Sequence, residues 1–96
     1  MAKLLTIDPA VLRKLRQLPK TERVEALLAQ CELTDVFGQP HRHSGLGIRK
    51  LGGKLFECRA TLSLRFIFQN RIDDLYIPFL GSHDEVKALL RRGRYG

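Results

Sequence analysis

The residues best suited to binding chemistry lie in the segment KLFECRATLSLRFIF, residues 54–68. Read with the two-residue period of a β-strand, this segment has one strongly apolar face, and the other face carries Glu57, Arg59 and Arg65. Guanidinium groups bind phosphate through paired N–H donors, so two of them on one strand face are a candidate anion site. Whether they form such a site depends on how the two halves of the segment pair.

Burial selects the pairing of these two strands. A three-residue turn at residues 61–63 places Arg59 directly opposite Arg65, with Glu57 one step along the same face beside Ile67. The same register directs six apolar side chains to the core, namely Phe56, Cys58, Ala60, Leu64, Phe66 and Phe68. A two-residue turn would mix arginines with phenylalanines, because a shift of one residue exchanges the two faces.

Two arginines directly opposite each other repel and mildly destabilise a strand pair, so another interaction must compensate. An anion shared between Arg59 and Arg65 would do so, and phosphate suits their planar donors best. In the alternative interpretation, Glu57 simply neutralises one arginine on a solvated face. Spacing alone leaves both interpretations open.

His83 is the second candidate for chemistry. It lies in GSHDEV, at the first turn of a predicted helix, where free N–H groups and the helix dipole favour anions. We expect an acid–base or phosphate-contacting role, and a surface histidine beside a helix cap is the alternative. His41 and His43, in a glycine-containing segment, and Tyr95, near the last residue, are weaker candidates.

Length and composition limit the class of protein. The 96 residues and 44% hydrophobic content predict a single domain, residues 1–96, with a modest core. The net charge of +7 predicts a polyanionic partner, either nucleic acid or an acidic protein, and a basic protein without such a partner is the alternative. No apolar run reaches the roughly 18 residues of a membrane span, and no signal peptide is evident, so we expect a cytoplasmic protein without membrane association.

The two cysteines indicate neither a metal site nor a disulfide. Cys31 and Cys58 lie in apolar segments without the spacing of zinc ligands or of a redox motif. The sequence therefore predicts two buried free thiols, no metal and no cofactor.

The N-terminal half predicts a strand and two helices. Residues 4–7 form the strand, Asp8 caps the first helix, and Pro9 opens it. The outer side of that helix is basic, with Arg13, Lys14 and Arg16. Pro19 precedes a second helix, whose buried side is predicted to consist of Val24, Leu27, Leu28 and Cys31.

The C-terminal half predicts a sheet followed by a helix. After a loop at residues 38–47, an antiparallel meander is expected from four segments, residues 48–51, 54–60, 62–68 and 74–80. The segment SHDEVKALLRR then predicts a final helix, with Ser82 and Glu85 spaced as a capping box.

This order of elements, together with the run KLGGKLFECRATLSLRFIF, resembles the RelE/ParE superfamily of bacterial toxins. The segment FECR is most similar to the HigB and phage HigB-like branch, where a glutamate also precedes the arginine, and GSHDEV is similar to the Gly-x-His end of the YafQ branch. The resemblance implies an α+β fold of the RelE-like microbial RNase type. An N-terminal strand and helical hairpin would pack on a three- or four-stranded antiparallel sheet, with a short C-terminal helix.

The resemblance also implies a function. Active members of the superfamily are toxins of type II toxin–antitoxin systems that enter the ribosome and cut mRNA without a metal, through attack of the ribose 2′-OH on the adjacent phosphate. The implied partners are an acidic antitoxin, the ribosome and mRNA. The implied catalytic residues are Arg59 and Arg65 as phosphate and transition-state contacts, Glu57 as base and His83 as acid or base. The implied RNA-binding residues are Arg49, Lys50, Lys54, Arg13, Lys14 and Arg16.

Two features depart from the superfamily pattern. Pro78 falls within a predicted inner strand, so we expect a missing ladder hydrogen bond and a bulge there. Asp84 and Glu85 follow His83 where several active toxins have an aromatic or basic residue. The alternatives are therefore a ParE-like inhibitor of a protein such as a DNA gyrase subunit, a catalytically inactive toxin-like module, and a plain nucleic-acid-binding domain.

Overall fold

The computed structural model describes residues 4–38 and 46–92, which form five strands and three helices. The strands are β1 (Leu4–Ile7), β2 (Arg49–Gly52), β3 (Leu55–Arg59), β4 (Leu64–Asn70) and β5 (Asp74–Ser82). The helices are α1 (Pro9–Gln17), α2 (Lys20–Val36) and α3 (His83–Arg91). The weaker candidates His41, His43 and Tyr95 lie outside the described residues.

The strands form one mixed sheet in the order β1-β5-β4-β3-β2. β2 to β5 are the predicted antiparallel meander, and β1 pairs in parallel with β5, with Leu5 opposite Leu75. The predicted α+β architecture is confirmed. The sheet has five strands rather than three or four because the N-terminal strand joins its edge.

The main core fills the space between the sheet and the helices α1 and α2. Its buried members include Val11 and Leu15 of α1, Leu33 of α2 and Phe66 and Phe68 of β4. All six side chains predicted to face this core from β3 and β4 lie in it or pack against it. The alternation of apolar residues on these two strands therefore fixes which face the helical hairpin covers.

A second, smaller core lies on the other face of the sheet, under α3. Leu55 and Ile67 of the sheet pack there against Val86 and Leu89 of α3. The alternative interpretation placed Glu57 and the arginines on a solvated face, but the amphipathic helix α3 folds back over the centre of this face and excludes water from it.

Pro78 produces the predicted bulge in β5. The β4–β5 register pairs Ile67 with Phe79 but Gln69 with Tyr76, so the register shifts around Pro78. Proline has no N–H to donate to the ladder. The bulge places the extra residue of β5 at the position where this hydrogen bond is missing.

The predicted buried side of α2 is wrong. Val24, Leu27 and Leu28 are exposed, and Cys31 is exposed with them. The helix instead buries Ala26, Ala29, Gln30, Leu33 and Val36. Small alanine side chains allow the helix to approach closely, and periodicity alone does not indicate which apolar side does so.

The two cysteines consequently differ. Cys58 is completely buried, as predicted, and burial, reinforced by the charge of Glu57, raises the pKa of its thiol to about 12. Cys31 lies on the solvent side of α2, so the prediction of a second buried thiol is wrong. No described helix is long and apolar enough to cross a lipid bilayer.

Candidate functional site

Arg59 and Arg65 lie directly opposite each other on β3 and β4, which confirms the register predicted from burial. The turn between the strands is held by Ala60 and Leu64, since the Ala60 N–H donates to the Leu64 carbonyl at 2.9 Å. On the next strand, Gly81 of β5 pairs with Arg65. One row across the sheet therefore reads Arg59, Arg65, Gly81, and we call its two cationic members the arginine pair.

The arginine pair is accessible at this end of the sheet. Arg59 is exposed and Arg65 is half-buried. Within residues 4–38 and 46–92, neither guanidinium forms an ion pair with a carboxylate. Neither charge is thus neutralised by a direct ion pair, and an anion bound between the two arginines would reduce their repulsion.

Arg59 also borders a depression of about 340 Å³ between α2 and the end of β3. Leu28 and Ala29 of α2 line one side, and Glu25 and Glu32 lie along the same helix. The depression combines an apolar floor with charged residues of both signs. It extends the accessible surface beside the arginine pair toward α2.

Glu57 does not neutralise the arginine pair. Its side chain pairs with Arg49 of the edge strand β2 at 2.6 Å, and the residue is only 3% exposed. Its Oε2 is buried and has no hydrogen-bond partner among the described residues. Glu57 therefore has no oxygen directed at solvent, and its main contact is the guanidinium of Arg49.

This geometry predicts an asymmetry between two substitutions. Arg49→Ala leaves the buried carboxylate of Glu57 without a counter-charge and should lower the free energy of unfolding by about 1–3 kcal/mol. Glu57→Gln removes the buried charge itself and should cost less, because exposed Arg49 remains solvated. Urea denaturation of both variants measures the difference. Equal losses, or a larger loss for Glu57→Gln, would contradict it.

His83 is the first residue of α3 and is exposed, two positions after the partner of Arg65. The predicted capping box fixes this helix start. The Ser82 hydroxyl accepts from the Glu85 N–H at 3.1 Å, and Glu85 Oε1 accepts from the Ser82 N–H at 2.8 Å. The cap therefore holds His83 at the end of β5, next to the start of β4.

Glu85 also joins α3 to α1. Its Oε1 lies 3.6 Å from Lys14 Nζ, and that ammonium lies 5.8 Å from the centre of the Phe79 ring. Lys14, which the resemblance implies to be an RNA-binding residue, thus contacts Glu85 of α3 and the ring of Phe79. The Ser82 N–H lowers the pKa of Glu85, and the charge of Lys14 adds to this effect.

The lowered pKa of Glu85 predicts acid-dependent stability. Because the folded pKa is below the ordinary value of 4.5, its stabilising contribution is present above pH 4.5 and is lost as the pH falls through the folded pKa. The variant Glu85→Gln should therefore show a shallower decline of stability on acidification. Chemical denaturation at a series of acidic pH values measures it. Glu32→Gln, an exposed glutamate on α2, is the control and should follow the wild type.

The other predicted RNA-binding residues are spread over the molecule. Arg13 and Arg16 are exposed on α1, and Lys50 is exposed on β2. Lys54 precedes β3, five residues from Arg59 and roughly 17 Å away along an extended strand. Lys54 therefore does not supply charge beside the arginine pair, because it lies at the opposite end of β3.

Gly81 is a feature that the sequence reasoning missed. A Cβ at this position would lie 2.7 Å from Phe79 Cε2 and 3.1 Å from Glu85 Oε1, so only glycine fits without displacing these groups. Its position directly before the capping box was the available signal. The space above Gly81, next to Arg65 in the row, is occupied by the Phe79 ring and the Glu85 carboxylate.

No candidate metal site is found in the part of the chain that the structure describes, where no three histidine, cysteine, aspartate or glutamate side chains cluster. The side chains at this end of the sheet that could act on an anion are those of Arg59, Arg65 and His83. They can bind an anion and exchange a proton with it.

Comparison with solved structures identifies the fold. A RelE–RelB complex from the archaeon Pyrococcus horikoshii OT3 contains a chain that superposes with a TM-score of 0.71 at 22% identity, covering 99% of this chain and 100% of that one. This chain has the RelE toxin fold. A free-state double mutant of the Escherichia coli toxin RelE matches with a TM-score of 0.68 at 15% identity, covering 96% of this chain and 98% of that one.

A copper-bound point mutant of a Helicobacter pylori toxin is a more distant match to the RelE fold. Its TM-score is 0.52 at 20% identity, with coverage of 90% of this chain and 99% of that one. The sequence itself matches no protein-family model and no curated protein significantly. The likeness therefore lies in the arrangement of elements, and the resemblance inferred from the order of motifs is supported at the level of the RelE fold.

Proposed function

We propose that this chain is the toxin of a type II toxin–antitoxin system and a ribosome-dependent mRNA endoribonuclease. The observation that carries the proposal is the arginine pair, two arginines directly opposite each other on neighbouring strands without an ion-pair partner among the described residues. The RelE fold supports the toxin role, since the Escherichia coli and Helicobacter pylori proteins that share it are toxins. The net charge of +7 supports binding to RNA.

In the proposed reaction, the ribose 2′-OH attacks the adjacent phosphate. Its oxygen forms a bond to phosphorus, the bond from phosphorus to the 5′-oxygen of the next nucleotide breaks, and a 2′,3′-cyclic phosphate remains. Arg59 and Arg65 bind the phosphate oxygens and stabilise the negative charge that develops on them. His83 exchanges a proton with one of the two reacting oxygens.

Glu57 has a different role in this proposal from the base that the resemblance implied. A base must reach the proton that it removes, and a carboxylate that is 3% exposed and bound to Arg49 does not. We assign Glu57 to holding Arg49 at the edge of the sheet. The 2′-OH then loses its proton and the departing 5′-oxygen gains one, with His83 carrying out one of these transfers and solvent on the ribosome the other.

The proposed protein partner is an acidic antitoxin. The archaeal structure with the same fold is a complex of RelE with RelB. A basic chain attracts an acidic partner over a distance and binds it in a salt-dependent manner. Such a partner would neutralise the toxin by covering the arginine pair.

Induced expression in bacteria, followed by primer extension on a reporter mRNA, tests the proposal. The nuclease predicts growth arrest with new 5′ ends inside translated codons, and these ends should disappear when translation of the reporter is blocked. Growth arrest without cleavage would instead favour inhibition of a protein target such as DNA gyrase. Absence of both effects would indicate an inactive toxin-like module or a nucleic-acid-binding domain.

A further inference from the structure

The depression between α2 and the end of β3 adjoins the arginine pair and shares Arg59 with it. We call it the α2–β3 depression. Its volume of about 340 Å³ falls at the small end of the range of ligand pockets, roughly 300–1,000 Å³. A single flat group such as a nucleobase therefore fits in it. The apolar part of its lining consists of Leu28, Ala29, Leu46 and Ala60.

Hydrogen bonds at the end of β3 hold the walls of the depression. The Arg59 N–H donates to the Leu46 carbonyl at 2.7 Å, which ties Leu46 to the strand. Thr61 is 3% exposed, and its Oγ1 accepts from the N–H groups of Ser63 at 3.3 Å and Leu64 at 3.1 Å. These bonds fix the backbone of the lining residues on this side, so the depression is formed before a ligand arrives.

Gly47 places the guanidinium of Arg59 at the rim of the depression. A Cβ at Gly47 would lie 3.7 Å from Arg59 Nη2 and 3.9 Å from Arg59 Cζ, so the guanidinium group lies beside this glycine. Gly47 directly follows the lining residue Leu46 and has a φ of 62°, a conformation that favours glycine. A phosphate bound by Arg59 would therefore lie at the edge of the depression, with its attached nucleoside next to the apolar lining.

Two carboxylates of α2 also line the depression. Glu25 and Glu32 are seven residues apart on one helix face, about 10 Å along the axis, and Leu28 lies between them. Both are exposed, and neither forms an ion pair within residues 4–38 and 46–92. The depression thus offers hydrogen-bond acceptors on its α2 side and a cationic donor, Arg59, on its β3 side.

A carboxylate distinguishes the four RNA bases by the donors on their Watson–Crick edges, because it carries acceptors only. Guanine presents two adjacent donors, N1–H and N2–H, which match the two oxygens of one carboxylate. Adenine and cytosine each present one amino group beside an acceptor, and uracil presents one N–H between two carbonyl oxygens. A carboxylate at the edge of a base pocket therefore favours guanine most and uracil least.

We propose that the α2–β3 depression is a guanine site for the RNA strand whose phosphate is bound by the arginine pair. The base lies against the apolar lining, and the carboxylate of Glu25 or Glu32 accepts from guanine N1–H and N2–H. This inference rests on the proposed function, since it takes RNA as the substrate. It adds a preference for guanine beside the bound phosphate and residues that determine this preference.

Titration of the free, isotope-labelled chain with the four nucleoside 3′,5′-bisphosphates, followed by NMR, tests the site. Each probe carries one base between two phosphates, and the proposed reaction cannot cleave it because no nucleotide follows the 3′-phosphate. We expect the guanosine probe to bind about tenfold more tightly than the uridine probe, roughly the effect of one charge-assisted hydrogen bond. The amide resonances of Ala29, Ala60 and Thr61 should shift with the guanosine probe.

Substitutions separate recognition of the base from binding of the phosphate. At least one of Glu25→Gln and Glu32→Gln should bring the guanosine and uridine probes to within about twofold of each other, because a glutamine amide presents one donor and one acceptor. Arg59→Ala should weaken the binding of all four probes equally. Glu22→Gln is the matched control, since it makes the same change of charge on α2 but Glu22 does not line the depression. Circular dichroism establishes that the variants are folded.

Equal binding of the four probes to the wild type, or no binding in the millimolar range, would exclude a guanine site. An unchanged preference in both Glu25→Gln and Glu32→Gln would exclude these carboxylates as the groups that recognise the base. Resonance shifts at the arginine pair without shifts at Ala29 and Ala60 would exclude the depression as the place where the base binds. The nuclease proposal fails separately, since it is judged by cleavage of the reporter mRNA on ribosomes and not by this titration.

Discussion

Replacing Arg65 with alanine is expected to lower the rate of ribosome-dependent mRNA cleavage by about two to three orders of magnitude. Arg65 is the half-buried member of the arginine pair and lies between Arg59 and Gly81 in the row across the sheet. Its backbone is paired with a strand on each side, which fixes the point from which its side chain reaches the phosphate. Removing a guanidinium that contacts the developing negative charge costs transition-state stabilisation of this size.

Purified chain, programmed ribosomes and a single-turnover assay measure this effect. Arg65→Lys should recover only part of the activity, because an ammonium group cannot reproduce the bidentate geometry of a guanidinium group. Arg91→Ala is the matched control, since Arg91 is an exposed arginine in the last turn of α3. Cleavage by Arg65→Ala within threefold of the wild type would exclude Arg65 from the proposed centre.

Replacing Phe68 with alanine should cause the largest loss of stability, about 3–5 kcal/mol. Phe68 is completely buried in β4, and its ring contacts Phe37 edge-to-face at 5.3 Å and stacks on Phe56 at 5.4 Å between ring centres. Truncation removes both aromatic contacts and leaves a cavity beneath α2. Because small domains have a free energy of unfolding of only about 5–15 kcal/mol, the variant should be close to unfolding.

Urea denaturation followed by circular dichroism quantifies this loss. Phe68→Leu keeps an apolar side chain of nearly the same volume and should cost about 1 kcal/mol. Leu62→Ala, in the exposed turn, should change the stability by less than about 0.5 kcal/mol. A loss below about 1 kcal/mol for Phe68→Ala would show that the aromatic cluster is not the centre of the core.

The face of the sheet that carries the arginine pair has a buried centre and an accessible end. Near its middle, Ile67 is buried under α3 and Glu57 is closed off with Arg49. At its end, Arg59 is exposed and Arg65 is half-buried. The same helix thus contributes to stability through its apolar side and presents His83 through its first residue.

The sequence alone determined the pairing of β3 and β4, and with it the arginine pair. Both strands alternate apolar and charged residues, and only one register keeps Arg59 and Arg65 away from Phe66 and Phe68. The capping box at Ser82 and the bulge at Pro78 were predictable for a similar reason. Each follows from local backbone chemistry that does not depend on distant parts of the chain.

Only the tertiary structure decided which partner Glu57 has and which side of α2 is buried. Arg49 lies opposite Glu57 because β2 pairs with β3, and no local pattern indicates which charged residue a neighbouring strand will present. For α2, the apolar spacing of Val24 and Leu28 is as regular as that of a buried face. On the opposite side, Ala26 and Ala29 pack against the rest of the fold, because their small side chains allow α2 to approach it closely. This orientation of the helix leaves Val24 and Leu28 in solvent.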